Sequence, residues 1–201
     1  MQPPTLSDGT VVVDRLTEGD LDDIVEACQD PEIPAWTTVP SPYGRADAES
    51  FLDLMVRPGW VRGDQRVWAV RAAGEPRIQG VIGLHGVRDG SAEIGYWMAP
   101  WGRRRGLLGR AVPLVTEYAF DPSGAALARL TWSAVVGNWP SRRVVWAVGF
   151  RVEGTRRKHL LKQGERVDAW VGGLLREDPR EPVEPWPTAD AGDGSALHGV
   201  A

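Results

Sequence analysis

Apolar positions along this chain switch between two spacings, and the switches divide it into alternating strands and helices. Val11 to Val13 is a short apolar run that reads as a strand. Leu21, Ile24, Val25 and Cys28 then recur at i, i+3, i+4 and i+7, one face of a helix. Thr17 stands at its capping position, with Asp20 three residues on in a capping-box arrangement. Pro31, Pro34, Pro40 and Pro42 predict a loop next. A second helix is expected over 47–56, burying Phe51, Leu52 and Met55. Runs over 66–71, 78–85 and 91–98, separated by glycine-containing turns, predict three consecutive strands. Residues 106–120 return to helical spacing at Leu108, Ala111, Val112, Val115 and Ala119, with Pro113 expected to kink the helix. Strands over 129–136, 150–157 and 166–174, and a helix over 140–148, complete the pattern.

Strands outnumber the helices set between them. That predicts an α/β (α+β) sandwich around a single mixed sheet, rather than a helical bundle or an all-β barrel. A chain of 201 residues is ample for one domain with a real core, placed here at 10–176. Residues 1–9 read as a flexible lead-in. Residues 177–201 are acidic and rich in Pro and Gly, and they lack the apolar surface to offset their ordering entropy, so a mobile tail is expected. Trp186 is the residue placed to anchor part of it.

Charge changes the picture little. The net charge of -4 resides in the segment from Arg176 onward, which holds two basic and six acidic residues. The remainder is balanced, which argues against a general nucleic-acid-binding face. One cysteine, Cys28, excludes an internal disulfide and fits a reducing compartment. No apolar run approaches the roughly 20 residues that span a bilayer, and the opening Met-Gln-Pro-Pro-Thr lacks the regions of a signal peptide. The expectation is a cytoplasmic protein with no membrane contact. Three scattered histidines and one cysteine make no metal-ligand spacing.

The chemistry concentrates between Glu93 and Gly109. A strand there runs into a turn of Arg103, Arg104, Arg105 and Gly106, and a helix opens through Leu107, Leu108 and Gly109. Free N–H groups and the positive dipole end at a helix start suit a phosphate. Glycine lets the backbone approach the anion, and arginine adds charge-assisted hydrogen bonds. The pattern is neither a P-loop nor a GxGxxG fingerprint. Read as a bare basic cluster, it would be a solvated turn or an RNA patch.

Arg103 to Leu108 resembles the Arg/Gln-x-x-Gly-x-Gly/Ala signature of the GNAT acyltransferases. Gly95 to Pro100 resembles the strand end that pairs with the pantetheine arm in their ribosomal-protein N-acetyltransferase-like subgroup. Asn138-Trp139-Pro140-Ser141, followed by Gly149-Phe150, resembles that subgroup's Asn-x-x-Ser helix. Asp168 to Val171 resembles its last strand, and 17–23 its first helix. The likeness spans residues 10–178. It implies a GNAT fold, one mostly antiparallel twisted sheet flanked by helices, and an acetyl-CoA-dependent N-acetyltransferase without a metal.

The same resemblance implies donor contacts from Trp97, Met98, Arg103, Arg104, Arg105, Gly106, Leu107, Leu108, Gly109, Asn138 and Arg143. It implies an oxyanion-holding N–H near Met98, a proton or hydrogen bond from Ser141 to the leaving sulfur, and a homodimer. Glu93 is the expected base acting through water, with His85 as the second choice. The acceptor is a primary amine, either a protein N-terminus or a small molecule. Arg104 and Leu108 depart from the family's small residues, and Val145 stands where many members carry a tyrosine. A non-catalytic acyl-CoA-binding module and an RNA-associated protein stay open as other classes. Of ten tryptophans, most are assigned to the core, with Trp36, Trp101 and Trp139 nearer the expected cleft or a dimer contact.

Overall fold

The computed structural model describes residues 2–187. The part of the expected tail from 188 to 201 lies outside them.

The strands are β1 (Leu6–Ser7), β2 (Val11–Arg15), β3 (Gln65–Ala72), β4 (Gly80–Arg88), β5 (Ser91–Met98), β6 (Arg129–Val135), β7 (Arg151–Lys162) and β8 (Glu165–Leu175). They form one sheet in the order β1-β2-β3-β4-β5-β6-β8-β7. Every pairing is antiparallel except β5 with β6. Short turns suffice for the antiparallel steps, whereas the parallel step needs a crossover. Helix α5 (Leu107–Phe120) supplies it. Its start therefore stands at the carboxyl end of β5, where open sheets place their ligands.

The first half holds α1 (Leu21–Cys28), α2 (Glu32–Trp36), α3 (Arg45–Ser50) and α4 (Arg57–Arg62), with α6 (Trp139–Ala147) after β6. Thr17 N–H donates to Asp20 Oδ2 at 2.8 Å, so the capping pair forms, on a 3-10 turn that leads into α1. Leu21, Ile24 and Cys28 are buried as their spacing predicts.

Three elements differ from the sequence expectation. Leu6–Ser7 pairs with Val12–Val13, and Trp68 Nε1 donates to the Pro4 carbonyl at 3.0 Å, so the lead-in is built onto the sheet edge. Two residues are too few to show a strand period. Helix α2 forms where prolines predicted only loop, because Pro34 occupies its first turn, where a missing N–H costs nothing. The third is the Phe51–Val56 segment between α3 and α4, which is π-helical. Its wider winding adds a residue to the turn, so Leu52 and Val56 face the core while Met55 is left 41% exposed.

The core is continuous from Val11 and Val13 through Trp68, Ile82, Leu84 and Ile94 to Leu130 and Leu174. Trp60, Trp68 and Tyr118 stack edge to face through it, at centroid distances of 4.9 and 5.3 Å. Trp186 packs against Trp139 and Trp146 at 6.0 and 5.3 Å, and Trp146 Nε1 donates to the Glu184 carbonyl. The first part of the acidic segment is thereby pinned to α6.

Candidate active site

Strands β5 and β6 are neighbours only over Ser91–Glu93 and Arg129–Thr131. Beyond that point β5 continues to Met98 beside β4, and β6 continues to Val135 beside β8, so the pair parts like the arms of a V. A cavity of about 1480 Å³ occupies the gap. Ala99 N–H donates to the Gln79 carbonyl at 2.9 Å, away from the gap. Alternate residues of an antiparallel ladder aim their peptide groups at opposite neighbours. Tyr96 and Met98 therefore turn theirs into the opening. The Met98 carbonyl receives Arg103 Nε–H at 3.3 Å, which leaves the Met98 N–H directed at the cleft.

At the carboxyl end of β5 the chain makes a tight turn over Pro100–Gly102. A Cβ at Gly102 would lie 2.3 Å from the Gln79 carbonyl oxygen, so only glycine permits this approach. The three arginines that follow separate. Arg103 pairs with Asp30 at 2.8 Å and Arg105 with Glu75 at 2.6 Å. Arg105 also donates to Gln79 Oε1 at 3.0 Å. Arg104 is exposed, lines the cavity and holds a left-handed φ of 58°. Gly106, at φ 73°, opens α5. Left-handed residues near a helix start let successive N–H groups converge on an anion. Side chains added at Gly106 or Gly109 would meet nothing within 4 Å, so the backbone there stands open to a ligand.

On the other arm, Asn138 caps α6, its Oδ1 accepting Ser141 N–H at 3.1 Å. That frees the Ser141 hydroxyl from capping. It accepts Trp132 Nε1–H at 3.1 Å and donates to the Tyr96 phenol oxygen at 3.1 Å. The phenol in turn donates to the Ser141 carbonyl at 3.0 Å. Burial pushes the Tyr96 phenol above its ordinary range, so it stays protonated. The position that many GNAT members fill with tyrosine, Val145, is 1% exposed and belongs to the core. In the sequence Tyr96 lies inside a strand motif that reads as backbone pairing, which does not single out its phenol. Its one local signal is that it alternates with Met98 on β5.

At the apex of the V, where β5 and β6 are still paired, His85 and Glu93 face each other across β4 and β5. Glu93 is exposed and accepts the Ser133 hydroxyl. His85 Nδ1 lies 2.8 Å from Gln65 Oε1, which makes Nδ1 the donor and leaves Nε2 able to accept. Burial lowers the pKa of His85 below 6.5, and the Glu93 carboxylate opposes this only in part.

The cavity thus gathers Glu93, Trp97, Met98, Arg103, Arg104, Gly106, Leu107, Leu108, Gly109, Asn138 and Ser141, together with His85 and Tyr96. Two residues expected at the donor site are not among its lining. Arg105 is drawn aside by Glu75 and Gln79. Arg143, roughly 200° around α6 from Ser141, stacks over Trp146 and Trp186 at 4.9 and 4.8 Å. Trp36 lines the cavity, whereas Trp101 bonds the Ile78 carbonyl and Trp139 packs on Trp170.

Residues 10–151 match the family model described as an acetyltransferase (GNAT) domain. The chain belongs to the GNAT acetyltransferase family. It is 35% identical over 137 residues to "Putative ribosomal N-acetyltransferase YdaF" of Bacillus subtilis (strain 168), covering 66% of this chain and 73% of that one. It is 28% identical over 116 residues to "Uncharacterized N-acetyltransferase YoaA" of the same organism, a match spanning 57% of this chain and 63% of YoaA. Mycobacterium smegmatis RimJ in complex with CoA-disulfide superposes with a TM-score of 0.76 at 21% identity, covering 87% of this chain and 90% of that one, which shows the shared fold.

The donor of GNAT acetyltransferases is acetyl-CoA, and the site fits it. Open space over Gly106 and Gly109, the unpaired flank of β5 and the Arg104 side chain suit a long ligand with a phosphate end. Arg104 and Leu108, the departures from the GNAT signature, both line the cavity. No group of side chains suited to a metal ion occurs among the described residues.

Proposed function

We propose that this acetyltransferase moves the acetyl group of acetyl-CoA directly onto a primary amine, a protein N-terminus or a small molecule, within the V between β5 and β6. The observation that carries the reading is the Ser141–Tyr96 hydrogen bond across the gap, beside the Met98 N–H. It joins a proton source to an oxyanion donor at one place.

In this reading the diphosphate lies over the start of α5, held by N–H groups of 104–109 and by Arg104. The Met98 N–H stabilises the oxygen charge that develops as the amine adds. Both hydroxyls rotate as the sulfur departs: Ser141 turns its proton from the Tyr96 oxygen to the sulfur, and Tyr96 turns its own from the Ser141 carbonyl to resupply the serine. His85 takes the amine proton through water, being neutral near pH 7 and oriented by Gln65, and Glu93 stabilises the imidazolium that forms. The sequence reading favoured Glu93 as the base; the free Nε2 of His85 supports the exchange of roles.

The active domain is taken as residues 10–176, working in the cytoplasm as a homodimer. The lone Cys28 supports the first of these placements, and the subgroup resemblance supports the second. Light scattering at micromolar concentration tests the dimer.

Calorimetric titration with acetyl-CoA, then thiol release in the presence of amines, tests the function. Micromolar binding and amine-dependent release are expected. Binding without release for any amine would leave only the donor site standing.

A further inference from the structure

The acceptor side of the cavity is apolar in a way the core does not require. Trp36, Leu54 and Met55 are among the most exposed large hydrophobic side chains of the described residues, at 37%, 73% and 41%, and all three line this cavity. The π-helical segment is what places two of them there. Its extra residue per turn keeps Leu52 and Val56 in the core and delivers Phe51, Leu54 and Met55 to the cavity. A π segment weakens helix geometry and recurs at functional sites.

The cavity also has a roof. Lys162 Nζ donates to the Ala35 carbonyl of α2, which ties the β7–β8 hairpin across the mouth and brings Leu160 into the lining. The carboxylates lining the cavity are few and dispersed: Glu32, Asp47 and Glu93 stand on separate elements. Glu32 accepts Trp36 Nε1–H at 3.0 Å, and Asp47 accepts Gly44 N–H at 2.8 Å. A polycation would find no row of carboxylates at its own charge spacing, and an extended peptide would meet the roof.

We propose that the acceptor is a small primary amine with an aromatic or branched aliphatic body, seated among Trp36, Phe51, Leu54, Met55 and Leu160, which set acceptor specificity. The proposal rests on the acetyl-transfer reading above. The C–N bond forms as the C–S bond breaks, the thiolate takes a proton, and the amine gives one up.

The test is steady-state kinetics at saturating acetyl-CoA, following thiol release with ethylamine, isoamylamine, phenethylamine, spermidine and a tetrapeptide with a free N-terminus. Packing one added methylene is worth roughly tenfold or more in kcat/KM. Phenethylamine and isoamylamine are therefore expected to exceed ethylamine, spermidine and the peptide by at least about tenfold. Leu54→Asp and Met55→Asp, at positions the core does not use, should raise the KM for phenethylamine roughly tenfold with the KM for acetyl-CoA unchanged. A preference for spermidine or peptide, a flat response along the apolar series, or no turnover despite acetyl-CoA binding overturns the acceptor assignment. Failure of a folded sample to bind acetyl-CoA at all overturns the acetyl-transfer reading beneath it instead.

Discussion

The Ser141 hydroxyl and the Tyr96 phenol, from opposite arms of the V, lie 3.1 Å apart. Ser141 stands on α6 and Tyr96 on β5, so their contact spans the gap outside the sheet ladder. A serine hydroxyl alone is a poor acid. In the proposed reading the phenol, turned from the Ser141 carbonyl, gives the proton a path.

Tyr96→Phe should therefore lower kcat by about 100-fold, the lower end of a general-acid contribution. The KM for acetyl-CoA should change little. Ser141→Ala should do the same. The double variant should be no slower than the slower single one, because residues acting as a unit are non-additive. Independent, multiplying losses in stopped-flow single turnover would break the pair apart.

Arg104 carries two opposed effects. Its left-handed φ costs about 1 kcal/mol in any residue with a side chain, while its cation faces the cavity. Arg104→Gly should raise Tm by about 2–4 °C and weaken acetyl-CoA binding roughly tenfold at low salt, with the loss shrinking as salt is added. Arg105→Ala should leave affinity unchanged, because Glu75 and Gln79 already hold that side chain. Calorimetry on the two variants at two ionic strengths decides the matter.

The pH dependence follows from His85. Burial disfavours its charged form, so its pKa lies below the ordinary 6.5. The neutral, proton-accepting form then persists to lower pH, and kcat at saturating acetyl-CoA and amine, which reports the bound complex rather than the free amine, should fall only on the acid side of 6.5. Glu93 pulls the pKa upward, so Glu93→Gln should move that limb further toward acid. An acid limb in kcat above pH 6.5, or a shift upward in Glu93→Gln, would refute His85 as the base.

Two glycines of the cradle should fail in different ways. Gly102→Ala drives a methyl into the Gln79 carbonyl and should cost about 1–3 kcal/mol of stability by overpacking. Gly106→Trp meets no protein atom near Cβ but fills the ligand's space, and it should abolish acetyl-CoA binding in a protein that stays folded. Thermal melts and calorimetry on both variants separate the two roles.

The strands and long helices were legible because each keeps one apolar period over several turns, from Leu21–Cys28 to the three strands between Gln65 and Met98. The cradle was legible because its glycines and arginines are contiguous. What stayed hidden depends on distant partners or on phase. Nothing near Arg105 in sequence announces Glu75, and nothing near Arg143 announces Trp186. The π turn at Phe51–Val56 shifts the helix face by one residue, so Met55 was assigned inward where Val56 belongs. Tyr96 was read for its backbone, while its phenol met Ser141 from a segment 45 residues away.

The parting of β5 from β6 leaves the sheet interrupted, with main-chain donors and acceptors facing solvent in the middle of the molecule rather than at its rim. In the reading proposed above, an acyl-CoA arm laid along β5 would serve as a surrogate strand, so that the sheet is finished by its own substrate. Amide exchange at Tyr96 and Met98 should then slow on donor binding, and release of the spent thiol reopens the seam for the next turnover.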